Sequence, residues 1–505
     1  MIPVLAASQI READSYTILN EPICSADLMV RAASKCIGYI SERFDFHTSF
    51  LVICGQGNNG GDGLVIARLL HENAYPVTAF VVKTKPKGSS DFEIQLRLLK
   101  KAGVKINFIE KNEDIPNFQA ESVIIDAIFG TGLSRPAEGV FAGVIQKINI
   151  SGRLVISVDM PSGLFSEGSN THATIKNTVV ASLTLTFQVP KQAFFLPDSG
   201  SFVGDFSLLD IGLDSQFIQN LKVNDFYITA DDIKPMFPGR DKFSHKGVYG
   251  SVLLISGSRG KTGAAVLSAR GCLRAGAGLV TVHAPECSLG IIQTALPEAM
   301  VSVDSSKDYI SEMPVNQHYS SVGVGPGIGK SPETVKALKL LIQNSHLPLV
   351  LDADALNILA ENPTWISFLP KLSILTPHLA EFERLFGKCS DAYERLEKQR
   401  SMSVKHGIVI VLKGAHTSIS SPSGNVYFNS TGCPGMGKAG SGDVLTGIIT
   451  ALYARFKDSL SAAMAGVYLH GLAGELAADA MGEESVFAGD IADRVGEAIE
   501  LLRIQ

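Results

Sequence analysis

Three glycine-rich stretches carry residue types suited to holding phosphate or moving a proton. "ISGSRGKTGAAV", 255–266, follows an apolar run and contains Gly260, Lys261 and Thr262, the ending of a phosphate-binding P-loop. That motif needs a glycine at 255, where Ile255 stands, so the loop is incomplete as a P-loop. "GQGNNGGDG", 55–63, places Gly55, Gly57 and Gly60 in a GxGxxG pattern. A dinucleotide dehydrogenase would set an acidic residue at the end of the next strand. That run ends instead in Lys83, Lys85 and Lys87, which disfavours the class. Asn58, Asn59 and Asp62 add side-chain oxygens beside N–H groups at a helix start, a combination that can take an anion and a hard cation. "CPGMGKAGSGD", 433–443, turns successive N–H groups of small residues toward one anion, aided by the helix dipole. It sets Asp443 in the first helical turn, placed to take a proton from a hydroxyl attacking phosphorus. Tight turns and helix starts use the same residues, so each stretch also has a purely structural reading.

Other segments end in polar residues of similar promise. "IIDAIFGTGLSRP" carries Asp126 and an Arg135 suited to a phosphate, and "VDMPSG" carries Asp159 and Ser162. "VLKGAHT" ends in Lys413 and Gly414, a plausible contact for adenine or a ribose phosphate. His378 in "LTPHLAEFERL" precedes a helix and is by type more often a cap or a surface residue. Gly327 in "GVGPGIGKS" admits a flat ring. Asp352 and Asp354 in "LDADALN" stand two apart, hence on one side of an extended segment, to position a metal or cap a turn.

The elements that must position these residues follow from the apolar pattern. Val- and Ile-rich runs at 50, 77, 122 and 154 alternate with segments of helical spacing, which predicts parallel βαβ units. The runs are continuously apolar, so the sheet is covered on both faces. A second series begins near 249. The predicted fold class is α/β, with two doubly wound domains and one site beyond the strand ends of each. The polar stretch 210–247 places the boundary near 224, giving domains 1–224 and 225–505.

Composition narrows the function classes. The 505 residues are 45% hydrophobic and 19% charged, the balance of a globular enzyme with large cores. A net charge of −6 argues against a nucleic-acid or anionic-membrane surface. The seven cysteines lack any CxxC and read as reduced thiols in a cytoplasmic setting. No apolar run approaches a membrane span, and the first residues lack a signal-peptide pattern.

Taken in order, "GQGNNGGDGLVIARLL", "DAIFGTGLSRP", "VDMPSGL" and "TLTFQVPKQAFFLPDSG" resemble the NAD(P)H-hydrate epimerase domain of the YjeF N-terminal type, over 1–220. The resemblance implies a Rossmann-like three-layer domain that holds the hydrated dinucleotide. Its contacts would be Asn58, Asn59, Gly60, Gly61 and Asp62 in one loop, and Gly130, Thr131, Gly132, Leu133, Ser134, Arg135 and Pro136 in another. It further implies potassium on Asn59, Asp126 and Ser162, with Asp159 doing acid–base work at the nicotinamide ring. "KGVYGSVLLISGSRGKTGAAVLSARGCLRAGAGLVTV", "GVGPGIG", "VLDADALN", "LTPHLAEFERL", "VLKGAHT" and "GMGKAGSGDVLTGII" resemble the NAD(P)H-hydrate dehydratase domain, a ribokinase-like fold, over about 235–505. Here the implied substrate contacts are Ala264, Gly327, His378 and Asp443. The implied ADP contacts, with Mg2+ as the accompanying ion, are Lys413, Gly414, Ala415, His416, Thr417 and Gly442. Lys438 occupies a position that varies among relatives.

The expected activity is repair of NADHX and NADPHX: the first domain epimerises C6, and the second dehydrates one epimer at the expense of ADP. Bacterial members use ADP and eukaryotic ones ATP, and "KGAHT" does not decide between them. A homo-oligomer is expected, with no nucleic-acid or membrane partner. On this reading the 255–266 loop belongs to the substrate side and Lys261 is a surface or substrate-phosphate residue. A small-molecule kinase is the first rival and predicts a stable phosphorylated product. A scaffold module is the second and predicts loss of Asn59, Asp126 or Asp159, all of which are present.

Overall fold

A computed structural model describes residues 1–118, 121–314 and 319–504. The chain divides into two compact units: 2–223 with 391–393, and 224–390 with 394–505 and Met1.

The first unit holds a parallel sheet of β1 (Phe50–Cys54), β2 (Val77–Val82), β3 (Lys105–Ile109), β4 (Val123–Ala127), β5 (Val155–Val158), β6 (Leu183–Phe187) and β7 (Asp205–Leu209). Its order is β3-β2-β1-β4-β5-β6-β7. The chain leaves β1 in one direction and returns at β4 in the other, so a crevice opens beyond the carboxyl ends of these two strands. Helices α1 (Ala7–Asn20), α2 (Ser25–Ser41), α3 (Asn58–Glu72), α4 (Ser90–Lys101) and α5 (Val140–Asn149) belong to the same unit. β1 is apolar throughout because both its faces are covered. Val52 and Cys54 enter one core with Met29 and Leu64, and Ile53 enters another with Val144 and Ile145. The turn from β1 into α3 needs glycine, since a Cβ on Gly55 would lie 2.2 Å from the Ile128 carbonyl oxygen.

The second unit's strands are β8 (Asp225–Tyr227), β9 (Ser251–Ile255), β10 (Leu279–Ala284), β11 (Met300–Val303), β12 (Ser321–Val324), β13 (Leu349–Leu351), β14 (Ile374–Leu375), β15 (Val409–Leu412), β16 (Ser418–Ser420) and β17 (Val426–Phe428). They run in the order β8-β17-β16-β15-β14-β13-β12-β9-β10-β11. Among these ten strands, only the β15–β16 and β16–β17 pairings are antiparallel. Register aligns the carboxyl ends: Ile255 pairs with Val324, Val324 with Leu351, Leu351 with Leu375, and Leu375 with Ile410. The segments that begin at 256, 325, 352, 376 and 413 therefore emerge along one edge of the sheet.

Helices α6 (Thr262–Arg274), α7 (Pro332–Asn344), α8 (Ala353–Glu361), α9 (Leu379–Phe386), α10 (Ser441–Phe456), α11 (Ser459–Met481) and α12 (Ala488–Ile504) complete this unit. The sequence "SGDVLTGIITALYARF" of α10 is apolar on nearly all sides and almost wholly buried. Two glycines set its distance from α6: a Cβ on Gly447 would lie 1.9 Å from the Ser268 carbonyl oxygen, and one on Gly271 would lie 2.6 Å from that of Val444. Among the described residues no helix is long and apolar enough to cross a membrane.

Candidate active sites

Beyond β1 and β4 of the first unit lies a cavity of about 940 Å³, the size of a site for a large small-molecule ligand. Asn58, Asn59 and Asp62 from the start of α3, the whole 130–136 loop, Asp159 beyond β5 and Asp14 of α1 line it. Gly60 and Gly61, expected to touch the ligand, stand behind this wall: a Cβ on either would run into Gly55 O at 1.9 Å or Met29 Cε at 2.7 Å. Their smallness serves the packing of the turn.

Beneath the wall, Asp126 of β4 is fully buried. It accepts hydrogen bonds from Ser157 Oγ (2.8 Å), Ser162 N (2.9 Å) and Ser162 Oγ (2.5 Å). Burial pushes its carboxyl up, and these bonds pull it back. Asn59 keeps both side-chain polar atoms buried without a hydrogen-bond partner. The Asn59 amide lies instead near Gly130 and Asp159, with its Cγ 3.2 Å from the Gly130 Cβ position, and its unpartnered oxygen is the atom here with acceptor capacity to spare.

Asp159 sits in the left-handed backbone region at φ 65°, an uncommon conformation for a residue with a side chain. Its Oδ1 takes a 2.6 Å ion pair from Lys191, whose side chain is 1% exposed. Its Oδ2 lies 3.2 Å from where a Cβ on Gly130 would stand. Asp14 is pushed up to about 6, first by burial and then by Asp159, with Lys191 opposing. Asp62 is driven well above the usual carboxylate range by burial, with Asp159 and Asp14 adding to it. This wall therefore combines an ion-paired carboxylate with two carboxyls, Asp14 and Asp62, whose burial favours the protonated form.

In the second unit the aligned strand ends bring distant motifs together. Lys413, just past β15, donates to Asp352 Oδ1 at 2.9 Å. Thr446 of α10 donates to Asp352 Oδ2 at 2.7 Å. His378 and Lys413 form an isolated parallel bridge between adjacent strand ends. His378 caps α9 by accepting from Ala380 N at 3.2 Å, while Glu381 accepts from His378 N at 2.9 Å. Gly442 faces Lys413 Nζ, since a Cβ there would lie 3.3 Å from it. Asp443, one residue on, is pushed up to about 7 by burial and then by Asp352, with Lys413 opposing. The preceding Ser441 hydroxyl is 3.2 Å from Nε2 of buried His470, which burial lowers to about 4 and keeps neutral.

The extended segment expected at Asp352 and Asp354 is absent. Asp352 is the N-cap of α8, Ala353 turns left-handed at φ 48°, and Asp354 lies inside the helix. The two carboxylates consequently serve different partners, Asp352 the Lys413–Thr446 pair and Asp354 both Lys261 Nζ (3.0 Å) and Gly329 N (2.9 Å). Lys261 thus ties its loop to α8. Gly327 adopts φ 66° against that loop, with its Cβ position 3.1 Å from Ala264 Cβ. Ala264, Gly327 and Lys261 are therefore neighbours. His416 and Thr417 are engaged locally, His416 Nδ1 with Asn429 O at 3.1 Å and Thr417 Oγ1 with Gly414 O at 3.1 Å.

Comparison with known proteins adds independent findings. The YjeF-related protein N-terminus family matches residues 25–193. The family described as NAD(P)H-hydrate dehydratase matches 252–496. A curated protein of Moorella thermoacetica named bifunctional NAD(P)H-hydrate repair enzyme Nnr is 35% identical, covering 97% of this chain and 95% of its own length. The chain belongs to the bifunctional NAD(P)H-hydrate repair enzyme family. An Escherichia coli protein of the same name is 32% identical over 92% of this chain and 88% of itself. A Bacillus subtilis structure described as an ADP/ATP-dependent NAD(P)H-hydrate dehydratase co-crystallised with ATP/Mg2+ is 30% identical. It covers 56% of this chain and 100% of that one, at a TM-score of 0.49.

At these two sites, sequence reasoning passed over Asp14, Lys191, Thr446 and Glu381. Lys191 left one signal, a lone charge inside the buried run "VPKQAFFL". Asp14 left none, because α1 has little amphipathic contrast and its buried face carries only Ala7, Ala13 and Thr17.

Proposed function

We propose that the first unit interconverts the C6 epimers of NADHX and NADPHX at Asp159, and that the second dehydrates the S epimer with ADP, releasing AMP and phosphate, with Asp443 as base. The observation that carries the reading is Asp443 itself: a carboxyl at a helix start built from small residues, raised to about 7 by burial, next to a Gly442 whose Cβ position lies 3.3 Å from Lys413 Nζ. Hydroxide leaves poorly from C6. Asp443 takes the hydroxyl proton as the oxygen attacks the β-phosphorus of ADP and AMP departs. The ring-nitrogen lone pair then expels phosphate, and loss of the C5 proton restores the dihydronicotinamide. N–H groups at the start of α10 meet the charge on the transferring group.

Among the described residues, Asp352 and Asp354 are both engaged with lysines. Mg2+ therefore fits as an ion chelated by the nucleotide's phosphates and water, as this cation commonly is. At the first site Asn59, Asp126 and Ser162 supply oxygens that would hold potassium, whose charge would balance buried Asp126 and favour an anionic substrate group. The carbinol at C6 opens when Asp159 takes its proton and the C6–N1 electron pair moves to nitrogen. Asp14, which holds a proton up to about pH 6, is placed in the same wall to protonate that nitrogen. Rotation and closure on the other face invert C6.

The test is incubation with NADHX and ADP, or ATP in parallel, following the NADH absorbance band and release of AMP from ADP or of ADP from ATP. Recovery of NADH with AMP is expected. A stable phosphorylated product would favour a kinase and overturn the reading.

A further inference from the structure

The Asp159 carboxylate has two chemically equivalent oxygens, yet only one faces the 130–136 loop that lines the cavity. Oδ1 is turned toward β6, where Lys191 Nζ donates to it at 2.6 Å. The same ammonium donates to Thr186 Oγ1 at 2.6 Å and to the Phe187 carbonyl at 3.1 Å. An ammonium has three hydrogens, so its donors are all used within the protein. The lysine is buried to 1% side-chain exposure in an apolar run and offers no atom to a ligand. Burying a charge in this way is costly unless it is paired and hydrogen-bonded. Asp159 is held on the backbone side too: its N–H donates to Leu185 O at 2.7 Å while φ stays at 65°.

We propose that Lys191 is the positioning residue of the epimerisation site, fixing Asp159 Oδ1 so that Oδ2 alone is presented to the reacting ring. The inference rests on the reading of Asp159 as the group that takes the C6 hydroxyl proton. Lys191 touches no substrate and takes part in no bond change. It determines which oxygen receives the proton and where that oxygen stands.

The experiment uses the full chain, with dehydration of the S epimer as an internal measure of the second unit. In Lys191→Met, kcat for epimerisation is expected to fall on the order of 10²-fold, the scale of a misplacement near 1 Å, while KM stays within about threefold. Dehydration is expected to be unchanged. Lys191→Arg, which keeps the charge and donors, is expected to recover about tenfold of the loss. Adding Lys191→Met to Asp159→Asn is expected to cost less than about threefold more, because the lysine acts through that carboxylate. Should Lys191→Met weaken the first unit's folding, Thr186→Val keeps the ammonium and removes one of its anchors, and kcat is expected to fall about tenfold. The inference is overturned if Lys191→Met keeps kcat within threefold, if KM and kcat change together without rescue by arginine, or if Thr186→Val leaves kcat unchanged. A wild-type chain that does not epimerise at all overturns instead the reading on which it rests.

Discussion

Asp443 and Asp14 are carboxylates that the fold keeps from full hydration, and each carries a measurable consequence. A base works only when ionised. With Asp443 at about 7, kcat/KM for dehydration is expected to rise with pH through a limb near 7 rather than near 4. Asp443→Asn is expected to lower the dehydration rate by about 10² to 10⁴-fold and leave epimerisation intact. For Asp14 the prediction concerns stability. Its folded value of about 6 lies above the usual carboxylate range near 4, so folding takes up a proton between these values. The contribution therefore favours the folded state at low pH and is lost as pH rises from about 4 to 6. Asp14→Asn removes the penalty. Thermal unfolding is expected to show the variant more stable by on the order of 1–3 kcal/mol at pH 8 and no different at pH 4, with epimerisation reduced.

The helix pair α6–α10 carries the next prediction. The approach of these helices fixes where the 255–266 loop stands relative to Asp443, and Gly447 has no room for a side chain against Ser268. Gly447→Ala is expected to push the pair apart, costing about 1–3 kcal/mol in the second unit's unfolding and at least tenfold in dehydration. Epimerisation reports whether the first unit is spared. Elements of this kind were legible in the sequence where physics is local: strands covered on both faces are continuous Val/Ile runs, and helix starts after them carry glycine. The incomplete P-loop at 255–266 was legible as well, because Ile255 simply ends β9. Pairings across long stretches of chain were not. Lys413 and Asp352 are 61 positions apart and Thr446 and Asp352 are 94 apart, so only the parallel register brings them together. The strand-to-helix switch at Ala353, with its left-handed backbone, broke the two-residue alternation that an extended reading of Asp352 and Asp354 assumed.

On the scale of the whole molecule, two chemistries share one chain and should separate by substrate and by ion. A mixture of R and S hydrates given to the wild-type chain with ADP is expected to go to NADH in a single enzyme-paced course. Asp159→Ala is expected to consume the S share at the normal rate and then slow to the spontaneous rate of epimer exchange, as chiral separation of the remainder would show. Replacing potassium by sodium is expected to slow only the first reaction, and Asn59→Ala to abolish that ion preference, since the amide's unpartnered oxygen is the group that would feel the cation.

The backbone at Asp159 also bears on how such a chain ages in evolution. An aspartate at φ 65° is retained against a steady conformational cost, of the order of 1–2 kcal/mol where the left-handed region holds a side chain. On the proposed reading, the reaction at its carboxylate is what repays that cost. In a lineage that keeps the first unit for its shape and abandons its chemistry, position 159 is expected to be among the first to relax, and toward glycine or asparagine before any other residue. A lone substitution there, beside an unaltered Asn59 and Asp126, would date the loss of that carboxylate before the loss of the oxygens beneath it.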